Sequence, residues 1–274
     1  MSTNTKSIAF LGATGGCGLS ALRHALAAGH TCIALCRTPS KLTDRFPPAE
    51  YPHLTVVQGN AHDVAAVKRC LVDPRHPDQP RLVDSVVFSI GGTFIPSRLT
   101  IDDPHVCERG METLLQALAD IRRTTVSQGG DHDDDDAPTP KSGPVIVAVS
   151  TTGISKAGRD LPLVMWALYR GMLGVPHADK EAMENKLVAA DEDFVVVRPS
   201  LLVDGGGGGD GEAQAPAKEV KVGIEDLKHG RHVVEKQAWG YTISREDVGR
   251  WMYENLLRGD QGGEYIGKAV SLTW

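Results

Sequence analysis

Glycines at positions 12, 15 and 18 follow the apolar run Ile8 to Leu11 and lead into an apolar helix pattern from Leu19 to Ala28. Strand, tight turn and helix in that order can cradle a phosphate. A turn without bulky side chains lets a ligand meet the backbone. The free N–H groups at the helix start, with the positive end of the helix dipole, favour an anion. The spacing is G-x-x-G-x-x-G rather than G-x-G-x-x-G, and a glycine triplet alone also serves in plain tight turns. Here it opens a βαβ unit, which points to the pyrophosphate of a dinucleotide. Thr14, Gly16 and Cys17 belong to the same turn and are expected to share in that contact. Arg37 closes the next strand, where a carboxylate would hold the ribose 2′-hydroxyl of NAD and an arginine would meet the 2′-phosphate of NADP. No acid stands there and Lys41 lies just beyond, so the expected cofactor is NADP(H) in preference to NAD(H).

Further polar and small residues fall at the ends of later apolar runs. Asn60 and Ala61 are expected near the adenine, and Ser89, Ile90, Gly91 and Gly92 near the nicotinamide ribose. Ser150, Thr151, Thr152 and Gly153 follow the fifth run. A hydroxyl there can hydrogen-bond a substrate carbonyl, which makes Ser150 and Thr151 catalytic candidates; ordinary turn chemistry is the plainer alternative. Lys180 follows about thirty residues on and is expected beside the nicotinamide ribose, a third catalytic candidate and, with Ser150, a cofactor contact; Glu184 is its i,i+4 neighbour. A solvated helix lysine is the plainer reading of it. Pro199 and Leu201, after the sixth run, are expected to complete the cofactor contacts.

These residues need a scaffold that delivers strand ends to one edge. Apolar runs at 7–11, 31–36, 54–58, 83–90, 145–149 and 194–197 alternate with helix patterns at 19–28, 63–71 and 103–123. Several runs are apolar throughout, as in a parallel sheet buried on both faces. The expected fold is α/β, a doubly wound parallel sheet (Rossmann fold) in one domain, 1–274, with a small C-terminal substrate-binding lobe. Segments 127–142 and 204–216 are expected to be flexible insertions, one rich in aspartate and the other in glycine. Carboxylates can hold a hard cation, but the aspartate run has no ligand spacing, so no metal site is expected.

A net charge of −6 argues against nucleic acid and anionic membrane as partners. No stretch approaches the ~20 apolar residues of a membrane span, and residues 1–7 have no apolar signal core. Five cysteines without a Cys-x-x-Cys pair suggest free thiols and a cytoplasmic setting. A small-molecule substrate is expected, bound by a monomer or homodimer.

The turn Gly12–Gly18, the Asn60 turn, Ser89 to Gly92 and Val149 to Gly153 resemble the short-chain dehydrogenase/reductase superfamily. Met183-Glu-x-x-Leu187, Phe194 to Pro199 and Tyr241 to Val248 narrow the resemblance to its atypical branch, the NmrA-like and flavin/biliverdin-reductase-like NAD(P)H-binding proteins. The resemblance implies that Ser150 matches the family's active-site serine. It also implies that Lys180 falls where the branch places a residue touching substrate or cofactor. One departure stands out: the family's Tyr-x-x-x-Lys pair has Pro176 at the tyrosine position. Tyr169 is the nearest tyrosine upstream and is expected to pack rather than donate a proton. The implied activity is NADPH-dependent reduction of a small conjugated or aromatic carbonyl or quinone-like molecule of secondary metabolism. The substrate would lie between Phe94–Leu99, Leu161–Val175 and Leu201–Ala217. The alternatives are an NADP-sensing regulator and a redox-neutral isomerase or dehydratase on the same fold.

Overall fold

A computed structural model describes residues 5–77, 81–95, 97, 100–128, 143–163, 173–204 and 218–274. Strand β1 (Ser7–Leu11) runs into helix α1 (Gly16–Ala27), followed by β2 (Thr31–Cys36), the short α2 (Ser40–Thr43) and β3 (Leu54–Gln58). Then come α3 (Val64–Leu71), β4 (Ser85–Phe88), the small pair β5 (Phe94–Ile95) and β6 (Thr100–Ile101), and α4 (Val106–Gln128). Strand β7 (Val145–Val149), α5 (Gly174–Ala189), β8 (Phe194–Pro199), β9 (Leu201–Val203), β10 (Lys221–Asp226) and β11 (Val233–Lys236) follow. The chain closes with β12 (Thr242–Ser244), α6 (Arg245–Met252) and β13 (Lys268–Thr273).

The main sheet has the order β11-β10-β13-β8-β7-β4-β1-β2-β3. From β3 to β13 the strands are parallel; β10 and β11 join antiparallel at the far edge. The doubly wound architecture is therefore as expected. The C-terminal part extends the same sheet with β10, β11 and β13, strands that the six-run reading omitted. The strand order reverses between β1 and β4, and a crevice opens at that switch point on the carboxyl edge, where such sheets bind ligands.

Both faces of the sheet are covered, which explains the uninterrupted apolar strands. Ile8 and Phe10 of β1 pack with Leu22 of α1 and Val248 and Met252 of α6. Ala9 and Leu11, one residue out of phase, pack with Val67 of α3, Met111 of α4 and Leu187 of α5. Alternate side chains of one strand thus feed two cores. Each fully buried aliphatic side chain contributes about 1.5–3 kcal/mol to holding the layers together.

Several boundaries differ from expectation. Helix α1 starts at Gly16 rather than 19; Gly16 enters it at φ +60°, a conformation that glycine adopts without strain. Strand β4 is shorter than 83–90 and β8 continues to Pro199. Helix α4 begins at Val106 and runs on to Gln128, so residues 127 and 128 of the expected insertion are helical. Residues 129–142 and 205–217 lie outside the described residues. Among the described residues, no helix is long and apolar enough to cross a membrane.

Candidate cofactor and active site

The three glycines of the turn have separate tasks. Gly12 has φ +100°, and a Cβ there would lie 2.7 Å from the carbonyl group of Ser89. Gly18 packs so closely that a Cβ would run into the Ser89 side chain and come within 2.6 Å of the Gly12 carbonyl oxygen. These two let β1, β4 and α1 converge, and the Ser89 hydroxyl fixes the turn by donating to Gly12 O at 2.9 Å. Gly18 thus has a packing task in this turn, where only glycine fits. Gly15 is different: nothing lies within 4 Å of a Cβ built there. Its open side faces the first turn of α1, which carries no acidic residue.

A cleft of about 370 Å³ starts at this turn. Of the expected residues, Gly12, Thr14, Gly15, Arg37, Asn60, Ala61, Ser89, Ile90 and Gly91 line it together. Lys41 is exposed on α2 and is not part of the lining. Gly92 packs on Ile101 instead, where a Cβ would lie 2.8 Å from the isoleucine Cβ. The structure also places His62, Thr93 and Asp102 in the cleft wall, which the sequence reading missed. Asp102 accepts from the backbone N–H groups of Thr93 (2.7 Å) and Asp103 (3.0 Å). The Thr93 N–H is the main reason its carboxyl is held below the usual range.

Past the switch point lie Ser150, Thr151 and Lys180. The Lys180 ammonium donates to Ile90 O at 2.8 Å and Val149 O at 2.7 Å. It therefore braces the ends of β4 and β7, with one proton still to give. The expected i,i+4 partner Glu184 turns away and forms a bidentate pair with Arg198, at 3.1 and 2.6 Å. Asp179, next to Lys180, is buried and caps α4 by accepting from Cys107 N and Glu108 N, both at 2.9 Å. That cap fixes the height of α5 and so the reach of Lys180. Thr151 donates to Thr152 O at 3.1 Å, within the turn. Ser150 is buried, and its hydroxyl has no hydrogen-bond partner among the described residues. Cys17 is buried in the glycine turn; burial pushes its thiol up to about 12, although Arg245 and Lys180 pull the other way. Pro199 is buried at the end of β8, and its carbonyl accepts from Thr152 N at 3.1 Å. Leu201 is 41% exposed on β9.

The residues present fit a nicotinamide dinucleotide. Gly15 leaves room against a bare helix N-terminus, the cleft leads from it to Arg37, and a buried hydroxyl stands without a partner past the switch point. The sequence pattern of the NAD(P)H-binding family matches residues 12–258. The chain belongs to the NAD(P)H-binding family. It is 39% identical over 292 residues to the reductase pytE of Aspergillus terreus, covering all of both chains. It is 35% identical to the oxidase pynE of Aspergillus niger, covering 97% of this chain and 98% of that one. In fold it is similar to a short-chain dehydrogenase/reductase of Veillonella parvula in complex with NADP. That likeness has a TM-score of 0.65 at 14% identity, over 98% of this chain and 94% of the other. The fold is thus that of the short-chain dehydrogenase/reductases, as the resemblance implied, and the protein is an NAD(P)H-dependent oxidoreductase.

Near Ser150, this NAD(P)H-binding protein carries a buried charge network that sequence reading did not assemble. Arg198, 1% exposed, lies between Glu184 and Glu225, donating to Glu225 Oε2 at 2.6 Å. Glu225 also accepts from Ser155 Oγ at 2.7 Å and faces His232 Nδ1 at 3.0 Å. Burial acts to raise the Glu225 pKa, but Arg198, Ser155 and His232 together hold it below the ordinary carboxylate value. Asp160 accepts from Gly153 N at 2.9 and 3.0 Å, and burial raises its pKa. One signal was available: Arg198 is a charge inside the apolar run of β8, and a buried arginine demands acids nearby. Tyr169 lies outside the described residues, as do 164–172 and parts of 94–99 and 201–217 in the expected substrate walls.

Proposed function

We propose that this oxidoreductase is an NADPH-dependent reductase of a small conjugated or aromatic carbonyl or quinone-like molecule. The observation that carries this reading is the Ser150 hydroxyl, buried and without a partner among the described residues. A buried hydroxyl left unpaired costs stability unless something fills the role. A substrate carbonyl accepting from it would do so. The brace of Lys180 on Val149 O and Ile90 O holds the serine's strand end at a fixed height. The remaining ammonium proton is available to a ribose hydroxyl. The bound nicotinamide supplies the hydride; the protein orients the acceptor and excludes water.

Arg37 supports NADPH over NADH. It lies in the cleft wall at the end of β2, where a guanidinium can meet a 2′-phosphate as a planar fork. Five buried, free cysteines support work in the reducing cytoplasm. Pro176 supplies no proton, so protonation of the reduced substrate falls to solvent or to another group.

The test is to follow NADPH absorbance with purified protein and a panel of quinones, enones and flavins. Oxidation of NADPH with at least one compound class, lost in Ser150→Ala while NADPH affinity stays, is the expected result. Tight NADPH binding without oxidation anywhere on the panel would overturn the reductase reading. That outcome favours an NADP-sensing regulator, the second reading that Pro176 at the tyrosine position supports.

A further inference from the structure

Strands β9 and β12 run side by side and parallel, with Ser244 opposite Val203. The residues that follow them, Asp204 and Arg245, therefore emerge together, and Arg245 pairs with Asp204 at 2.6 Å. Arg245 is also the first residue of α6, and α6 is fastened to α1. Gly249 lies so close to α1 that a Cβ would come within 2.6 Å of the Cys17 carbonyl oxygen. Ser20 donates to Glu246 O at 3.0 Å, and the Glu246 carboxylate meets His24 at 3.0 Å and Arg23 at 3.3 Å. This fastening presents Arg245 over the start of α1. Its Cδ lies 3.8 Å from the position of a Cβ on Gly16, so the side chain passes across the glycine turn itself. The Cys17 thiol, in that turn, feels the positive charge of both Arg245 and Lys180.

Arg245 thus adds a positive charge to a helix N-terminus that has no acid in its first turn. Its counter-ion here is a weak one. The Asp204 side chain is 95% exposed and that of Arg245 38% exposed. Ion pairs in such surroundings contribute little and exchange readily.

We propose that Arg245 is a ligand of the cofactor diphosphate, and that Asp204 is the carboxylate it holds until the diphosphate arrives. This rests on the reading of the glycine turn as the dinucleotide cradle. A diphosphate carries more charge than one carboxylate and presents oxygens to both N–H edges of the guanidinium. Binding the cofactor then frees Asp204 from the cradle.

The experiment titrates wild type, Arg245→Gln and Asp204→Asn with NADPH, NADH and adenosine 2′-monophosphate, reading affinity by calorimetry. Arg245→Gln should lose about ten-fold for both dinucleotides, the scale of one charge-assisted hydrogen bond, and keep the affinity for adenosine 2′-monophosphate, which has no diphosphate. Asp204→Asn should bind both dinucleotides about two- to three-fold more tightly, because a competing ion pair is gone. Unchanged dinucleotide affinity in Arg245→Gln, with wild type binding normally, overturns the proposal and leaves the cradle standing. An equal loss for adenosine 2′-monophosphate also overturns it, since general damage then explains the effect. A wild type that binds neither dinucleotide overturns the cradle and the proposal together. Should Arg245→Gln fail to fold, the exposed Asp204→Asn decides alone, and unchanged dinucleotide affinity there overturns the proposal.

Discussion

The glycine-turn cleft and the charged cluster beyond the switch point, two halves of the candidate site, are held by different means. On the side we propose for the adenosine, glycines, strand ends and a helix start shape the site, and its main charged side chain, Arg37, sits on the rim. On the side we propose for the substrate, charged side chains do the holding, buried at Asp179 and Arg198 and half-buried at Lys180. Lys180 reaches Ile90 and Val149, Asp179 reaches Cys107 and Glu108, and Arg198 reaches Glu184 and Glu225. The first half is fixed by backbone conformation, so a change there strikes the ligand more than the fold. The second is fixed by side chains that would each leave an uncompensated charge if a partner went. In that half, stability and chemistry should fail together.

The largest effect should come from Arg198→Leu. It leaves Glu184 and Glu225 facing each other in a buried site, and breaking a buried pair in this way costs about 3–5 kcal/mol. Urea unfolding measures it. A loss below about 1 kcal/mol would break the comparison, because the network would then be ornamental.

Gly15→Asp should do the reverse. A carboxylate at about 4 Å from a phosphate charge costs roughly 4 kcal/mol at an effective dielectric near 20, so NADPH binding should vanish from a calorimetric titration. Stability should barely move, since no atom lies within 4 Å of the new Cβ and the backbone there is extended. Unfolding of this variant together with loss of binding would show that the two halves are not so different.

Arg37→Glu sharpens the contrast within the adenosine side. Losing a charged hydrogen bond to the 2′-phosphate should weaken NADPH by about 1.5–3 kcal/mol. NADH, which lacks that phosphate, should be nearly unaffected. Equal losses for both cofactors would remove the 2′-phosphate assignment.

The same division explains what the sequence made legible. The βαβ opening, the Gly12 turn and Arg37 are encoded in short stretches, where glycine's conformational freedom and strand-end position are local facts. They could be read directly. The residue spacing could not say that Gly18 packs on Ser89 while Gly15 faces space, because that depends on β4, some 70 residues away. Nor could it show that Glu184 chooses Arg198 over its helix neighbour Lys180. The local rule for i,i+4 pairs is worth only about 0.2–0.5 kcal/mol and is readily overridden by a buried cation. Strands β10, β11 and β13 were missed for a related reason. In β10 and β11 the charged residues Lys221, Glu225, Asp226, Glu235 and Lys236 interrupt the apolar pattern, and Glu225 is spent on Arg198 rather than on solvent.

The smallest expected effect tests whether burial disfavours the charged form of Asp160, beside Gly153. Burial raises the folded-state pKa of Asp160 above that of an ordinary aspartate, despite the Gly153 N–H it accepts. The fold therefore favours the neutral acid. Its contribution to stability is complete below the unfolded pKa and is lost as pH rises through the folded one. Asp160→Asn keeps one carbonyl oxygen for Gly153 N–H and cannot ionise. Thermal unfolding of the two proteins should then nearly coincide at pH 4, with the variant gaining on wild type as pH rises to 7. A gap that stays constant or narrows would mean that Asp160 pays no burial cost when charged. The nearby Arg198 would then be compensating three carboxylates instead of two, which would make the substrate side more tightly coupled than its hydrogen bonds alone indicate.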